Sequence, residues 1–496
     1  MLNKRAIYVC CISEPWIKVI EELKALGVEP AHIIHWRDDV DDYQRFSDGH
    51  CNFQTVESAW RGMGFPYDSV ALDEPSLKKI AWYESQAIVM MSRLDPTEEA
   101  FPAVSRQIFF RQLVGYWLAV ISKQKVDVVI SPSIPHRVFD YALYTACQLK
   151  DISFLSFQLT PFGSNSILID DVDNMPKVSI EGKLAPSTIV RERVKKVLAK
   201  YDEAIPDYMV KHKINNSSIF KPIEKIVGKV TKNLRKGNFY KFAKPNTYWC
   251  SKGALPNEMA PGWIDYLFTK AKNRAKLRTL RKRYAQLASK SIPLDSKFVF
   301  VALHYQPEET TCPTGGAYND QLLIIQLLNE VLPKDVNIVV KEHKSQFYSD
   351  QEGAAGRNLV YYRRLMSISE RVYFSSVEDD PFSLIDKAQA TVTVSGTIGW
   401  ESAIRGTPSM IFGRAWYEGM PNVYRIKDKK GLVDTWSRIC DASKKVEFEE
   451  ILAFHGALEA SFVTATHYKS YIGKGDVNME QSVVNLVASI SNYLKG

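Results

Sequence analysis

Residues 390–412, ATVTVSGTIGWESAIRGTPSMIF, commit this chain to a parallel α/β architecture. Positions 390–394 alternate Thr with small or β-branched residues, the pattern of a buried strand. The run breaks at Ser395-Gly396-Thr397 and resumes at helical spacing over 398–404. Arg405-Gly406-Thr407-Pro408 then stops the helix, and 409–412 reads as the next strand. A strand that turns into a helix at Ser-Gly-Thr aims backbone N–H groups and the positive end of the helix dipole at one point, a site suited to phosphate. Gly396 lets the backbone approach such a ligand, and the Ser395 and Thr397 hydroxyls add donors. An ordinary strand–cap–helix turn is the competing reading of those three residues alone.

The same grammar recurs along the chain. Strand 6–11, helix 14–26 with Gly27 as its stop, and strand 32–36 form a βαβ opening. A long amphipathic helix over 98–123, strand 126–131, helix 138–149 and strand 152–158 follow. From about 191 to 295 strand signals fade into basic, polar sequence. A second α/β series begins with strand 297–303, helix 321–332 and strand 336–340, and a regular helix covers 481–494. We therefore expect an N-terminal Rossmann-like acceptor domain over 1–190 and a basic helical linker or insertion over 191–295. A Rossmann-like nucleotide-sugar domain over 296–440 and a helical tail over 441–496 complete the division, with ligand held in a cleft between the domains.

Charge narrows the partners. The chain of 496 residues has a formal net charge of +8, and 270–290 carries nine Lys or Arg without an acid. Residues 221–244 add eight more cations against Glu224 alone. Such blocks attract phosphates of any kind, and we expect peripheral contact with anionic membrane. Nucleic acid is not expected, since no binding motif or stacking ladder of aromatics accompanies the charge. Seven cysteines without a CxxC pair fit reduced thiols and argue against a zinc site. With no signal-peptide pattern and no apolar run of membrane-spanning length, a cytoplasmic location is expected.

Three predicted strand ends in the second series carry chemistry: Gln306 to Thr311 with Glu308 and Glu309, Lys341-Glu342-His343-Lys344, and Ser395-Gly396-Thr397. C-terminal ends of parallel strands share one edge, so these loops converge on one crevice. Lys341 and His343 would add positive charge beside the helix N-terminus. Glu308 and Glu309 supply the carboxylates that glycosyl chemistry through an oxocarbenium-like state requires, with Glu308 the main candidate, fixed by Pro307, and Glu309 next in line, its loss the milder one if it faces solvent. Glu401 is a further carboxylate in reserve. In the first series His136, in Pro135-His136-Arg137, follows a strand end and is placed for acid/base work or for gripping a carboxylate. Gln158 to Gly163 reads as an acceptor-side loop. Asp379-Asp380 reads as a helix cap, and no metal is expected.

The strings HYQPEETTCPTGGAYNDQ, VVKEH and VSGTIGWESAIRGTPSMIFGRAWY resemble capsule and surface polysaccharide biosynthesis proteins related to the bacterial β-Kdo transferases. MMSRLDP, SPSIPHRVFDYALY and QLTPFG extend the resemblance into the N-terminal half, leaving 195–290 unmatched. It implies a GT-B fold and a CMP-Kdo donor held by the second domain. The residues of this chain expected to bind that donor are Gln306, Lys341, His343, Ser395, Gly396, Thr397 and Glu401. It also implies a glycan or glycolipid acceptor, as in capsule or lipopolysaccharide assembly, and retention through a carboxylate nucleophile, at the inner face of the bacterial inner membrane. Family members carry Asp where this chain offers Glu308, two residues after Gln306. A UDP- or GDP-sugar donor on the same fold is the enzymatic alternative. A non-catalytic glycan- or lipid-binding subunit of a capsule assembly complex is the other.

Overall fold

The computed structural model describes residues 1–201, 231 and 263–496, apart from 13, 37–42, 47–49, 96–100, 176–177, 179–184, 291, 307, 349–352, 442–445 and 468–476. Pro307 and all but one residue of the 221–244 basic block therefore lie outside the described residues.

Two sheets organise the chain. The first holds β1 (Lys4–Val9), β2 (Val28–His35), β3 (Asn52–Thr55), β4 (Val128–Ile130), β5 (Ser153–Leu159), β6 (Asn165–Ile169) and β13 (Phe462–Thr464). Their order is β13-β6-β5-β4-β1-β2-β3. β1 to β5 run parallel, with Ile7 opposite His32 on one side and Val129 on the other; β6 and β13 are antiparallel. Residues 6–9 of β1 are fully buried, which is why they read as an unbroken apolar run. The longer helices of this unit are α1 (Glu14–Ala25), α2 (Glu74–Met90), α3 (Ala103–Gln124), α4 (Phe139–Lys150) and α5 (Thr188–Leu198). Gly27, at φ +91°, ends α1 in a backbone region that favours glycine.

The second sheet is wholly parallel, in the order β12-β11-β10-β7-β8-β9. It consists of β7 (Phe298–Ala302), β8 (Asn337–Lys341), β9 (Val372–Ser375), β10 (Ala390–Thr393), β11 (Ser409–Ile411) and β12 (Val423–Arg425). Central β7 pairs Val301 with Val340 of β8 and Phe300 with Thr391 of β10. Its helices are α6 (Trp263–Leu287), α7 (Gln321–Val331), α8 (Leu359–Ile368), α9 (Pro381–Lys387), α10 (Thr397–Ile404) and α11 (Lys429–Asp441). Two Rossmann-type units in sequence make the fold GT-B-like, the class expected.

Two segments behave differently from expectation. The basic stretch is not a connector throughout: α6 buries Leu277, Leu280 and Tyr284, the last two within the second core. Tyr284 also donates to the Ser375 carbonyl at 2.8 Å and accepts from the Glu342 N–H at 2.8 Å. α5 instead buries Val190, Val194 and Val197 in the core that links the two units. The tail is not only helical. After α12 (Phe448–Glu459) it adds β13 to the first sheet, and α13 (Met479–Lys495) then packs its Val483, Leu486 and Ile490 with Trp16 of α1.

The units are joined by a plug. Phe162, in the turn between β5 and β6, is 1% exposed and lies edge-on to Trp400 of α10, Trp416 and His455. The Gln158–Gly163 loop, expected to face an acceptor, thus carries a core contact between the units. Among the described residues no helix is long and apolar enough to cross a membrane.

Candidate active site

In the first unit, β4 ends at Ile130 and the chain reaches α4 through Ser131 to Val138. Val138 adopts φ +53°, ψ −60°, and the Phe139 N–H donates to the Arg137 carbonyl. This is a γ-turn of the rare hand, strained for a β-branched residue. Buried Asp140 holds the turn by accepting from the Arg137 N–H at 2.6 Å and from its guanidinium at 3.3 Å. Burial raises the Asp140 carboxyl pKa, while Arg137 opposes the rise. Arg93 donates to the His136 carbonyl. The imidazole is held as firmly: Nδ1 lies 2.6 Å from the Ile134 carbonyl, which only accepts, so Nδ1 carries the proton. Burial, then Arg137 and Arg93, hold the His136 pKa well below its ordinary value. The ring is neutral, with Nε2 as its basic nitrogen.

Across from it, the loop after β7 brings Glu309 to 3.4 Å from His136 Nδ1. Two candidates from different units therefore meet where the units touch. Loss of hydration pushes Glu309 up to about 7, with Glu308 adding to the rise and Arg137 and Arg93 opposing it. Glu309 is not the solvent-facing member of the pair; Glu308 is the more exposed. The Glu308 pKa is raised by desolvation too, with the Thr310 hydrogen bond and Arg93 opposing the rise. The turn carrying both is tied down through its carbonyls. Thr311 and Cys312 N–H groups donate to Glu308, and the Thr314 hydroxyl to Glu309 at 2.9 Å. Cys312 Sγ reaches the Gln86 carbonyl of α2 at 3.1 Å, holding the loop against the first unit.

The Ser-Gly-Thr turn serves the cleft indirectly. The Ser395 N–H donates to His304 Nε2 at 3.2 Å, and the Thr393 hydroxyl donates to the same atom at 2.9 Å. His304 Nδ1–H then faces the Thr310 hydroxyl at 3.2 Å, and that hydroxyl donates to Glu308 at 3.1 Å. A relay thus runs from the turn to a candidate carboxylate, through a histidine that burial lowers to about 3. The Ser395 hydroxyl donates to the Thr310 carbonyl at 2.6 Å. Both donors of Ser395 expected to meet an anion are already engaged. Gly396 is required for a different reason as well: a Cβ there would stand 3.1 Å from the His304 ring. Thr397 is exposed, and its N–H and that of Ile398 have no partner among the described residues, so the helix terminus keeps two free donors. Glu401 is 5% exposed and raised to about 7 by burial; Arg193 and the Thr397 hydroxyl oppose the rise.

The remaining expected binders divide the same way. Lys341 Nζ donates to the Ser376 and Val377 carbonyls at 3.0 and 2.7 Å, pinning the loop after β9. Burial, with Lys344 nearby, lowers it to about 8. Gln306 is internal too, receiving the Gln346 amide oxygen at its N–H and the Arg357 guanidinium at its side chain. His343 alone keeps a free functional edge. Its Nδ1 accepts the Ser345 N–H at 3.2 Å, so Nε2 carries the proton, without a partner among the described residues. Burial lowers it to about 4, which keeps it a neutral donor.

Three arginines that the sequence does not single out belong to the site. Arg93 and Arg137 flank His136 and are the charges that moderate Glu309. Arg357 donates to Glu342 at 2.9 Å and to the His304 carbonyl at 3.0 Å, tying the ends of β7 and β8 together. Arg93 lies in the MMSRLDP segment and Arg137 directly follows His136. Nothing local marks Arg357 apart from the other cations near it.

Residues 266–447 match the family of capsule polysaccharide biosynthesis proteins. Over that stretch the chain is related to those proteins. The β-Kdo 2,7 transferase KpsC of Thermosulfurimonas dismutans is a structural neighbour at 9% identity and TM-score 0.29, covering 75% of this chain and 88% of its own. A β-Kdo 2,4 transferase KpsC structure from the same organism stands at 11% and 0.28, covering 66% and 79%. A glycosyltransferase from Rickettsia africae is 10% identical with TM-score 0.26, covering 100% and 99%. No curated protein sequence matches.

Proposed function

We propose that the chain is a glycosyltransferase of bacterial surface polysaccharide assembly, working at the inner face of the inner membrane. It would transfer Kdo from CMP-Kdo to a glycan or glycolipid acceptor with retention. The observation that carries this reading is Glu309 of the second unit held 3.4 Å from His136 of the first, with its carboxyl raised to about 7. A carboxyl of that pKa passes a proton readily near neutrality, as transfer to an acceptor hydroxyl demands. Glu309 takes the hydroxyl proton, and His136 orients it. Glu308, exposed and held by Thr310, attacks the anomeric carbon as the nucleotide phosphate leaves, and the acceptor oxygen that gave its proton to Glu309 then displaces Glu308 from the sugar. The His343 Nε2–H and the N–H groups of Thr397 and Ile398 receive the leaving nucleotide phosphate, and no metal is assigned a role. Lys341, Ser395, Gly396 and Gln306 act as positioning residues that hold these loops.

Two experiments test this. A thermal-shift panel of CMP, UDP and GDP should show stabilisation by CMP, because a ligand that binds only the native state raises the melting temperature. Preference for UDP or GDP would move the donor to another nucleotide sugar. Hydrolysis of CMP-Kdo by the purified chain should be measurable and lost in Glu308→Gln; absence of turnover with bound CMP would return the protein to a binding role.

A further inference from the structure

We infer that α6 and α8 together form a docking surface for an anionic lipid bilayer. The two helices lie side by side on the second core: Tyr284 and Tyr362 rings stand 5.3 Å apart, and Lys276 donates to the Ala354 carbonyl at 2.7 Å. With Leu280, Tyr284, Tyr362 and Leu365 turned inward, the opposite faces of both helices point outward. Those faces carry Lys272, Lys282, Arg363 and Arg364, all exposed and none with an ion-pair partner among the described residues. No Asp or Glu occurs in 266–290 or in 353–369.

Charge alone would suit any polyanion. The apolar side chains on the same faces choose between them. Phe268 is 72% exposed, one turn before Lys272 on α6, and Val360 (45%), Met366 (39%) and Leu359 (37%) stand among the arginines of α8. A soluble polyanion gives these groups nothing, whereas a bilayer takes cations at its headgroups and apolar tips below them. The arrangement is that of an interfacial surface, built from two helices of a folded unit.

This surface rests on the membrane placement proposed above and is independent of the donor. The test is sedimentation of the full chain with phosphatidylcholine vesicles and with equal mixtures of phosphatidylcholine and phosphatidylglycerol. Binding should require the anionic lipid and weaken as salt rises. Arg363→Glu/Arg364→Glu should weaken it at least tenfold, and Val360→Ser/Met366→Ser several-fold, with melting temperature and CMP-induced stabilisation unchanged. Equal binding to both vesicles, or none to either, overturns the membrane placement and this surface together. Anionic binding that ignores both variants leaves the placement standing and overturns the surface. Loss in the charge variant without loss in the apolar variant, with displacement by dextran sulfate, makes it a polyanion site and also overturns the proposal.

Discussion

The two neighbouring glutamates differ in the surroundings that their backbone positions give them. Glu309 is turned to the first unit and meets a histidine; Glu308 is the more exposed and meets a threonine. If Glu309 takes the acceptor proton, turnover should rise with pH through about 7 as its carboxyl ionises. Glu309→Gln should lose roughly 10²–10⁴-fold in kcat while keeping donor affinity, and the rising limb should vanish. An unchanged limb in that variant would assign the titration to another group. Glu401 gives a stability test with a definite sign. Its folded pKa of about 7 lies above the ordinary carboxyl value, so the folded chain binds the proton more tightly. Stability is therefore fully present at low pH and declines as pH rises from about 4.5 to about 7. Glu401→Gln escapes that decline and should be more stable than the parent by about 1–3 kcal/mol at about pH 8, with little difference at about pH 4. Denaturant midpoints at the two pH values check it. Gly396→Ala presses a methyl group onto His304 and should cost about 1–3 kcal/mol in the unliganded protein. A denaturation midpoint equal to the parent's would remove the His304 contact as the reason for glycine.

At the scale of elements, legibility followed burial. β7, β8 and β10 were readable to within a residue or two because strands covered on both faces become continuous apolar runs. β13 was not, since three residues paired to a strand of the other unit leave no local periodicity. α6 was read by its cations, and its inward stripe of Leu277, Leu280 and Tyr284 is too sparse to announce a core helix. Among site residues, His136 and Glu309 were each legible at a strand end. Their partnership was not, because it exists only once two units have docked. Ser395 and Gly396 are legible as special, but their contacts with His304 are not: a turn that serves an internal histidine and a turn that serves a phosphate have the same sequence signature.

For the molecule as a whole, the geometry of the cleft depends on contacts far from it. Phe162 of the first unit is surrounded by Trp400, Trp416, His455 and Phe462. Phe162→Ala should destabilise the protein by about 3–5 kcal/mol, the range for an aromatic deleted from a packed core. It should also let the units unfold in separate steps. A single transition at the parent's midpoint would show the plug to be dispensable. β13 and α13 carry the same coupling into the order in which the protein is made. The β6 edge and the Trp16 face of α1 find their covering strand and helix only in residues that follow the second unit in sequence. A nascent first unit on the ribosome therefore waits, with an open strand edge and an apolar face, until the second has been synthesised. Chains interrupted near residue 460 should accumulate as aggregates or chaperone clients, not as a free first domain.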